Sequence, residues 1–164
     1  LLVFTPGLYA VTVDTAISTA SGHGVLADTP LAVTPLDVQT EPTDEFVDVV
    51  QERVEAFLTE CTTQEVLQPT ACPFGLRVTN RLASAPKWSI ATQPQVTVTP
   101  DGGQWQIPTT DAVAHVEVDI RSLFDGKTQP LAEDVPFQLT GTIAILPDGS
   151  ASIRIGSPGD PAVD

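Results

Sequence analysis

The two cysteines are the residues whose type and spacing could most readily do chemistry. Cys61 and Cys72 lie in the stretch CTTQEVLQPTACPFG, and the chain has no other cysteine. A redox dithiol is normally a C-x-x-C pair at the start of a helix, where the helix dipole favours the thiolate. Cys61 instead falls at the end of a predicted helix, where the dipole has the opposite sign. The spacing therefore argues against a redox pair.

A zinc site is equally poorly supported around these cysteines. Zinc needs about four ligands, and the remaining candidates of the right type, His23 and His115, are distant in sequence and are not paired at ligand spacing. We therefore predict a Cys61–Cys72 disulfide that ties the helix end to the following loop. Closing a loop of this size stabilises a fold by about 2–3 kcal/mol on the chain-entropy estimate.

The histidines and the acidic residues are most simply explained as structural or surface residues. His23 stands between two glycines in SGHGV, which predicts a flexible surface loop. His115 lies in AVAHVEVDI, where alternation places it on one strand face with Val113 and Glu117. Glu117, Asp119 and Arg121 then form a polar stripe, which is typical of a solvated strand face.

Sequence motifs of the common enzyme and cofactor classes are absent. The chain contains no G-x-S-x-G elbow, no P-loop, no dinucleotide-binding glycine fingerprint and no EF-hand loop. We therefore predict a non-enzymatic protein with no catalytic residues, no metal and no cofactor.

Three aromatic residues are candidates for lining a pocket. Trp88 follows Pro86 at the start of a strand-like run, and Trp105 follows a Pro-Asp-Gly turn. The two runs are expected to pair, so both tryptophans are expected to pack in a core between sheet and helix. The alternative is that Trp88 and Trp105, with Phe57, line a pocket between helix and curved sheet.

One helix must position these groups. Thr43 is a good N-cap, and Asp44 and Glu45 place negative charge at the positive end of the helix dipole. Prolines 69 and 73 prevent the helix from continuing far beyond Cys61. The predicted apolar face consists of Phe46, Val50, Val54, Phe57, Leu58 and Cys61, and the predicted polar face consists of Gln51, Glu52, Glu55 and Thr59.

The rest of the chain is predicted to be β-structure. Before the helix, a strand-like sequence runs from the start to Thr15, a Ser/Gly/Thr-rich loop is predicted over 17–24, and LDVQT is predicted to be extended. After Gly75 we expect five or six strands, with hairpins at the Pro-Asp-Gly turns of 100–102 and 147–149.

Composition limits the possible partners and compartments. The 164 residues carry a formal charge of −14, with only seven Lys and Arg, which excludes binding to a polyanion such as nucleic acid. No stretch is apolar enough to span a membrane. Acidity, abundant Thr and Pro, the lack of Met and the predicted disulfide indicate an extracytoplasmic protein. Because a strand-like sequence begins at the first residue, we expect the chain to be a segment of a longer, anchored protein.

Several motifs resemble those of a known group. PGLYAVTVD, LAVTPLDV, EFVDVVQERVEAFLTEC, QPTACPFG, KWSIATQPQVTV, DGGQWQI and FQLTGTIAIL together resemble uncharacterised extracytoplasmic segments of actinobacterial membrane proteins. The opening PGLYAVTVD also looks like the start of a PEGA-type β module. One helix followed by antiparallel strands is similar to the cystatin-like and NTF2-like folds. The resemblance implies an anchored cell-surface or secreted protein and carries no catalytic residues with it.

We therefore predict an α+β fold in which one amphipathic helix packs on a curved antiparallel β-sheet. A small β segment or module is expected over 1–41, the helix and sheet domain over 42–156, and a flexible tail over 157–164. The predicted function is interaction with an unknown protein or cell-envelope component outside the cytoplasm. The alternative is a small-ligand-binding module that uses the pocket between helix and sheet.

Overall fold

The computed structural model describes residues 3–30, 33, 35–36, 38–146 and 150–158. The chain divides into two compact units, Leu1–Asp48 and Val49–Asp164, with the division inside the helix. The domain limits expected from the sequence, at 41/42 and 156/157, stay predictions.

In the first unit, the described residues form a three-stranded antiparallel sheet. Its strands are β1 (Gly7–Asp14), β2 (Ser18–Ala27) and β3 (Glu41–Pro42), in the order β1-β2-β3. The loop predicted over 17–24 is wrong, because β2 occupies Ser18–Ala27 and pairs with β1 along its length. His23 therefore lies in a strand, with its Cα opposite that of Val11. Ladder pairing has overridden a loop-like composition, as cross-strand context often does. The LDVQT run is irregular where it is described.

The predicted helix and its cap are confirmed. Helix α1 spans Asp44–Thr62. The hydroxyl oxygen of Thr43 accepts a hydrogen bond from the Phe46 N–H at 3.2 Å, which satisfies one of the free donors of the first turn. The same hydroxyl donates to the carbonyl of Ala16 at 2.8 Å. The cap thus also fixes the start of the helix against the β1–β2 connection.

The apolar face of α1 is largely buried. Val50, Val54 and Leu58 are fully buried, and Cys61 is nearly so, whereas Phe57 is half-buried. On the predicted polar face Glu55 is half-buried, and the larger correction concerns Gln51. Its side chain is half-buried and bonds to the backbone at Pro94 and Val96 instead of to solvent.

The described residues of the second unit form six strands, in agreement with the predicted five or six. They are β4 (Arg81–Leu82), β5 (Lys87–Thr92), β6 (Thr99–Asp101), β7 (Gln104–Arg121), β8 (Thr128–Ile145) and β9 (Ala151–Gly156). Every pairing is antiparallel, in the order β4-β7-β8-β9, with β5 and β6 also paired to β7. The protein is therefore α+β and dominated by a curled antiparallel sheet.

One of the two predicted hairpin turns is described. β6 pairs with β7 from Thr99 to Asp101, and Gly102 turns the chain with φ +59°, a value that favours glycine. The second Pro-Asp-Gly, at 147–149, lies outside the described residues. β8 and β9 nevertheless pair on either side of it, with Ile145 opposite Ala151.

Alternation along β7 divides the sheet into two faces. Ala114, Val116 and Val118 are buried on one face, while Glu117 and Asp119 are exposed on the other. The β8–β9 pair is closely spaced at Gly141, where an added Cβ would come within 2.7 Å of the Arg154 carbonyl oxygen. Glycine at this position therefore allows β9 to lie where it does.

Candidate functional site

The predicted disulfide is confirmed. Cys61 and Cys72 are bonded, with their Cα atoms 5.9 Å apart. The enclosed loop is held by a second device, because the side chain of Gln64 accepts from the Thr70 N–H at 2.8 Å and donates to the Thr70 carbonyl at 3.2 Å. Both sulfurs are committed to the bridge, so this segment acts as a structural staple at the helix end.

Trp88 belongs to the core and is linked to the segment that follows the helix. It is 7% exposed, and its indole N–H donates to the Val66 carbonyl at 2.8 Å. Its ring lies 5.0 Å from that of Phe74, which in turn lies 5.2 Å from Phe137. The bridged loop is thereby fastened to the sheet through an aromatic cluster.

Trp105 is also 7% exposed, but the strand register separates it from Trp88. Trp88 on β5 lies opposite Val116, whereas Trp105 on β7 lies opposite Pro100 and Ile143. The run that starts at Trp88 continues into β6. It therefore pairs with the run that contains Trp105 only beside the β6–β7 turn. Pro94 ends β5's ladder early, because proline cannot donate a ladder hydrogen bond.

An open groove lies between α1 and β9. It has a volume of about 410 Å³ and is lined by Arg53 and Phe57 of α1 and by Ala151, Ile153 and Ile155 of β9. Of the three aromatic residues expected to line a pocket, only Phe57 lines this groove. A pocket formed by Phe57 together with Trp88 and Trp105 stays a prediction.

Arg53 is the charged residue of the groove. Within the described chain its side chain forms no hydrogen bond or ion pair. Although α1 is rich in acidic residues, the positions three and four residues away from Arg53 are Val49, Val50, Ala56 and Phe57. No carboxylate of the helix is therefore at the spacing that pairs charges on one helical face.

The outward face of the sheet carries a row of polar side chains across three strands. His115 Nδ1 lies 2.6 Å from Asp134 Oδ1, and Ser89 is opposite His115 on the other side. Ser, His and Asp are the residue types of a hydrolytic triad, but the Asp134 side chain is 68% exposed and the row lies on an open face. Nothing there excludes water from a reacting group, so the row is best explained as a solvated cross-strand ladder.

Within the described ranges, no three His, Cys, Asp or Glu side chains are grouped to hold a metal ion. Within the same ranges, α1 lacks the combination of length and apolar character that a helix needs to cross a bilayer.

The β7–β8 tip (residues 122–127) presents two apolar side chains to solvent. Phe124 is fully exposed, and Leu123 is 63% exposed. The turn is nevertheless well ordered by its own polar groups, because the Ser122 hydroxyl accepts from the Phe124 N–H at 3.2 Å and the Ser122 N–H donates to the Lys127 carbonyl at 2.9 Å. Gly126 has φ +71°, which suits a tight turn.

Charged groups complete the β7–β8 tip. Arg121 Nε donates to the Gly126 carbonyl at 3.1 Å, and Lys127 Nζ lies 3.6 Å from Asp125. The hydrogen bond from Ser122, and then that from the Lys127 N–H, lower the pKa of Asp125 below its ordinary value. The polar groups of the tip described above therefore have hydrogen-bond or ion-pair partners, whereas its two apolar side chains face solvent.

Sequence reasoning missed this tip, because AVAHVEVDIRSLF looks like one continuous strand that would include Leu123 and Phe124. β7 ends instead at Arg121, and β8 begins at Thr128. The signal that could have found the turn is Asp125-Gly126, a favoured hairpin dipeptide between two alternating runs.

No protein-family model, no curated protein and no solved structure matches this chain. The likeness to actinobacterial extracytoplasmic segments and to cystatin-like or NTF2-like folds therefore remains a resemblance of motifs and element order. The part that the structure supports is the α+β class with a curled sheet.

Proposed function

We propose that this chain is a non-enzymatic interaction domain of a secreted or membrane-anchored protein that works outside the cytoplasm. In this proposal α1 packs across the curled sheet and the Cys61–Cys72 bridge fastens its end. The buried row of Val50, Val54 and Leu58 supports the packing. The disulfide supports the compartment, because such bonds persist mainly in oxidising environments.

The observation that carries the interaction function is the exposure of Leu123 and Phe124 on the ordered β7–β8 tip. An exposed aromatic residue costs solvation free energy unless a partner covers it, and buried aromatic anchors dominate many protein interfaces. The Ser122 hydroxyl accepts from the backbone N–H groups of Phe124 and Asp125, so the backbone of the tip loses little conformational entropy on docking. We assign the tip to an apolar pocket of a partner protein.

A protein pocket fits the tip better than a lipid surface. Two apolar side chains bury too little area for stable membrane binding, and Asp125 beside Phe124 would have to approach the headgroups. The charge of −14 also opposes approach to an anionic leaflet.

Photo-crosslinking in cells of the source organism tests this assignment. Benzoyl-phenylalanine at position 124 is expected to give a light-dependent adduct of defined mass, whereas the same probe at Leu82, an exposed apolar site on β4, gives none. With the partner identified, Phe124→Ser should weaken binding about tenfold or more. Leu82→Ser should leave binding unchanged.

Two outcomes would overturn the assignment. One is equal crosslinking from positions 124 and 82. The other is Phe124-dependent sedimentation with phosphatidylcholine and phosphatidylglycerol vesicles in the absence of a protein adduct. Two free thiols in protein recovered from the source would contradict the extracytoplasmic location.

A second candidate is small-ligand binding in the α1–β9 groove. The observation that favours it is the volume of about 410 Å³, which is within the range of ligand sites, with Arg53 as a single polar anchor. Decanoate, an apolar chain with a carboxylate, is the probe. Saturable binding that Arg53→Gln weakens, measured by calorimetry, would support this function, and no heat of binding would rule it out for this class of ligand.

A further inference from the structure

The alternation of hydrogen bonds along β9 determines which of its backbone N–H and C=O groups point away from β8. The Leu146 N–H donates to the Ser150 carbonyl at 2.8 Å, which makes 146 and 150 a hydrogen-bonded pair. In an antiparallel ladder such pairs alternate with non-bonded ones. The backbone groups of Ser152 and Arg154 therefore point to β8, and those of Ala151, Ile153 and Ile155 point away from it.

β9 is the last strand of its sheet in the described chain, so these outward groups form an open edge. The same three residues, Ala151, Ile153 and Ile155, line the groove beside Phe57 with their side chains. A strand added along β9 would gain ladder hydrogen bonds from them. Every second side chain of that strand would then lie in the groove.

On this same side of the sheet, β8 extends beyond the end of β9, and that part of the edge is protected against strand addition. The part of β8 beyond the end of β9 carries Pro130 and Pro136, which cannot donate ladder hydrogen bonds, and the charged Glu133 and Asp134. Prolines and charges are the usual means of preventing strand addition at an edge. The outward-facing positions of β9 are Ala and Ile, so the edge is available for pairing.

Arg53 specifies the chemistry of the occupant. Arg53 lines the groove and has no ion-pair partner in the described chain, although acidic residues outnumber basic ones 21 to 7. A guanidinium binds a carboxylate through charge-assisted hydrogen bonds. β9 itself, ASIRIG, has no acidic residue, so a second copy paired through β9 would supply no carboxylate from that strand, and the charge of −14 on each copy opposes association.

We propose that the free edge of β9 binds an extended peptide segment by strand addition, with apolar side chains in the α1–β9 groove and an acidic side chain on Arg53. This is a second interaction surface, separate from the β7–β8 tip. It can fail or succeed independently of the partner assigned to Phe124.

The test uses the whole chain labelled with ¹⁵N and a capped heptapeptide, Thr-Val-Thr-Glu-Thr-Val-Thr, in which valine and glutamate share one face. Titration is expected to shift the amide resonances of Ala151, Ile153 and Ile155 more than those of Ser152 and Arg154. Arg53→Gln should weaken peptide binding about fivefold. The matched control is Arg154→Gln, which removes the same charge from the opposite face of β9 and should leave binding unchanged.

A double-mutant cycle isolates the ion pair. Replacing the peptide glutamate by glutamine should cost the wild-type protein the same fivefold, and should cost Arg53→Gln nothing further. Ala151→Pro removes one outward N–H and should also weaken binding, while the resonances of β8 stay in place. If that variant disturbs β8, Ile153→Thr replaces it, because this change keeps the strand and removes apolar surface from the groove.

Four results would overturn the proposal. They are the absence of any peptide-induced shift, equal losses from Arg53→Gln and Arg154→Gln, concentration-dependent dimerisation that the peptide reverses, and saturable decanoate binding at the same amides without peptide binding. None of them bears on crosslinking at position 124, so the two surfaces are judged separately.

Discussion

Gln51 on α1 holds the backbone of Val96, whose N–H donates to Gln51 Oε1 at 2.9 Å. The other side-chain atom, Nε2, donates to the Pro94 carbonyl at 3.0 Å and to Glu55 at 2.6 Å. Residues 93–98 lie between β5 and β6 without regular ladder bonds, and the buried backbone there needs partners. The Gln51 side chain thus supplies backbone hydrogen bonds that the sheet does not provide in this segment.

Gln51→Ala should therefore lower the free energy of unfolding by about 1–2 kcal/mol, because it leaves the Val96 N–H and the Pro94 carbonyl without their partner. Urea denaturation followed by circular dichroism measures the change. Glu52→Ala is the control, since the neighbouring side chain is exposed and forms no such bridge. Equal stabilities of the two variants would show that the bridge contributes nothing.

Removing the disulfide should destabilise the protein by about 2–3 kcal/mol through the added freedom of the unfolded chain. Cys61→Ala combined with Cys72→Ala tests this without burying a hydroxyl at position 61, which is almost inaccessible to solvent. Reductant should lower the melting temperature of the wild type and leave that of the double variant unchanged. A double variant as stable as the oxidised wild type would contradict a stabilising role.

Trp88 should contribute through both its ring and its N–H. Trp88→Phe keeps an aromatic ring beside Phe74 but leaves the Val66 carbonyl without its donor, so we expect a loss of about 1–2 kcal/mol. Trp88→Ala should cost about 3–5 kcal/mol, because it also leaves a cavity. Denaturation of both variants separates the two contributions. If Trp88→Phe were as stable as the wild type, the hydrogen bond to Val66 would not contribute to stability.

The carboxyl of Asp125 should titrate below its ordinary value of 3.8, because the Ser122 hydrogen bond favours the ionised form. A lowered pKa in the folded state contributes stability to the tip above pH 3.8 that is lost as the pH falls through the folded value. NMR titration of the side-chain carboxyl measures this. Ser122→Ala should raise the pKa of Asp125 towards 3.8, and an unchanged pKa would contradict the assigned cause.

What the sequence determined by itself is mostly local. Thr43, the acidic first turn and the three- and four-residue apolar spacing define α1, because capping and helical periodicity act within a few residues. The Cys61–Cys72 bridge follows from spacing and residue type. Alternation also predicted the strand material of β7 and of the second half of β8, because every second side chain there is buried.

The tertiary structure decided which residues meet. Pairing with β1 makes a strand of the Ser/Gly/Thr-rich stretch at 18–27, and the register of β7 separates Trp88 from Trp105. Gln51 looks like a surface residue until the backbone at 94–96 is in place. The open edge of β9 is likewise invisible locally, since it depends on the order of strands far apart in the chain. Hydrogen-bond register joins residues of large sequence separation, so only the assembled sheet could place the groove and its free edge.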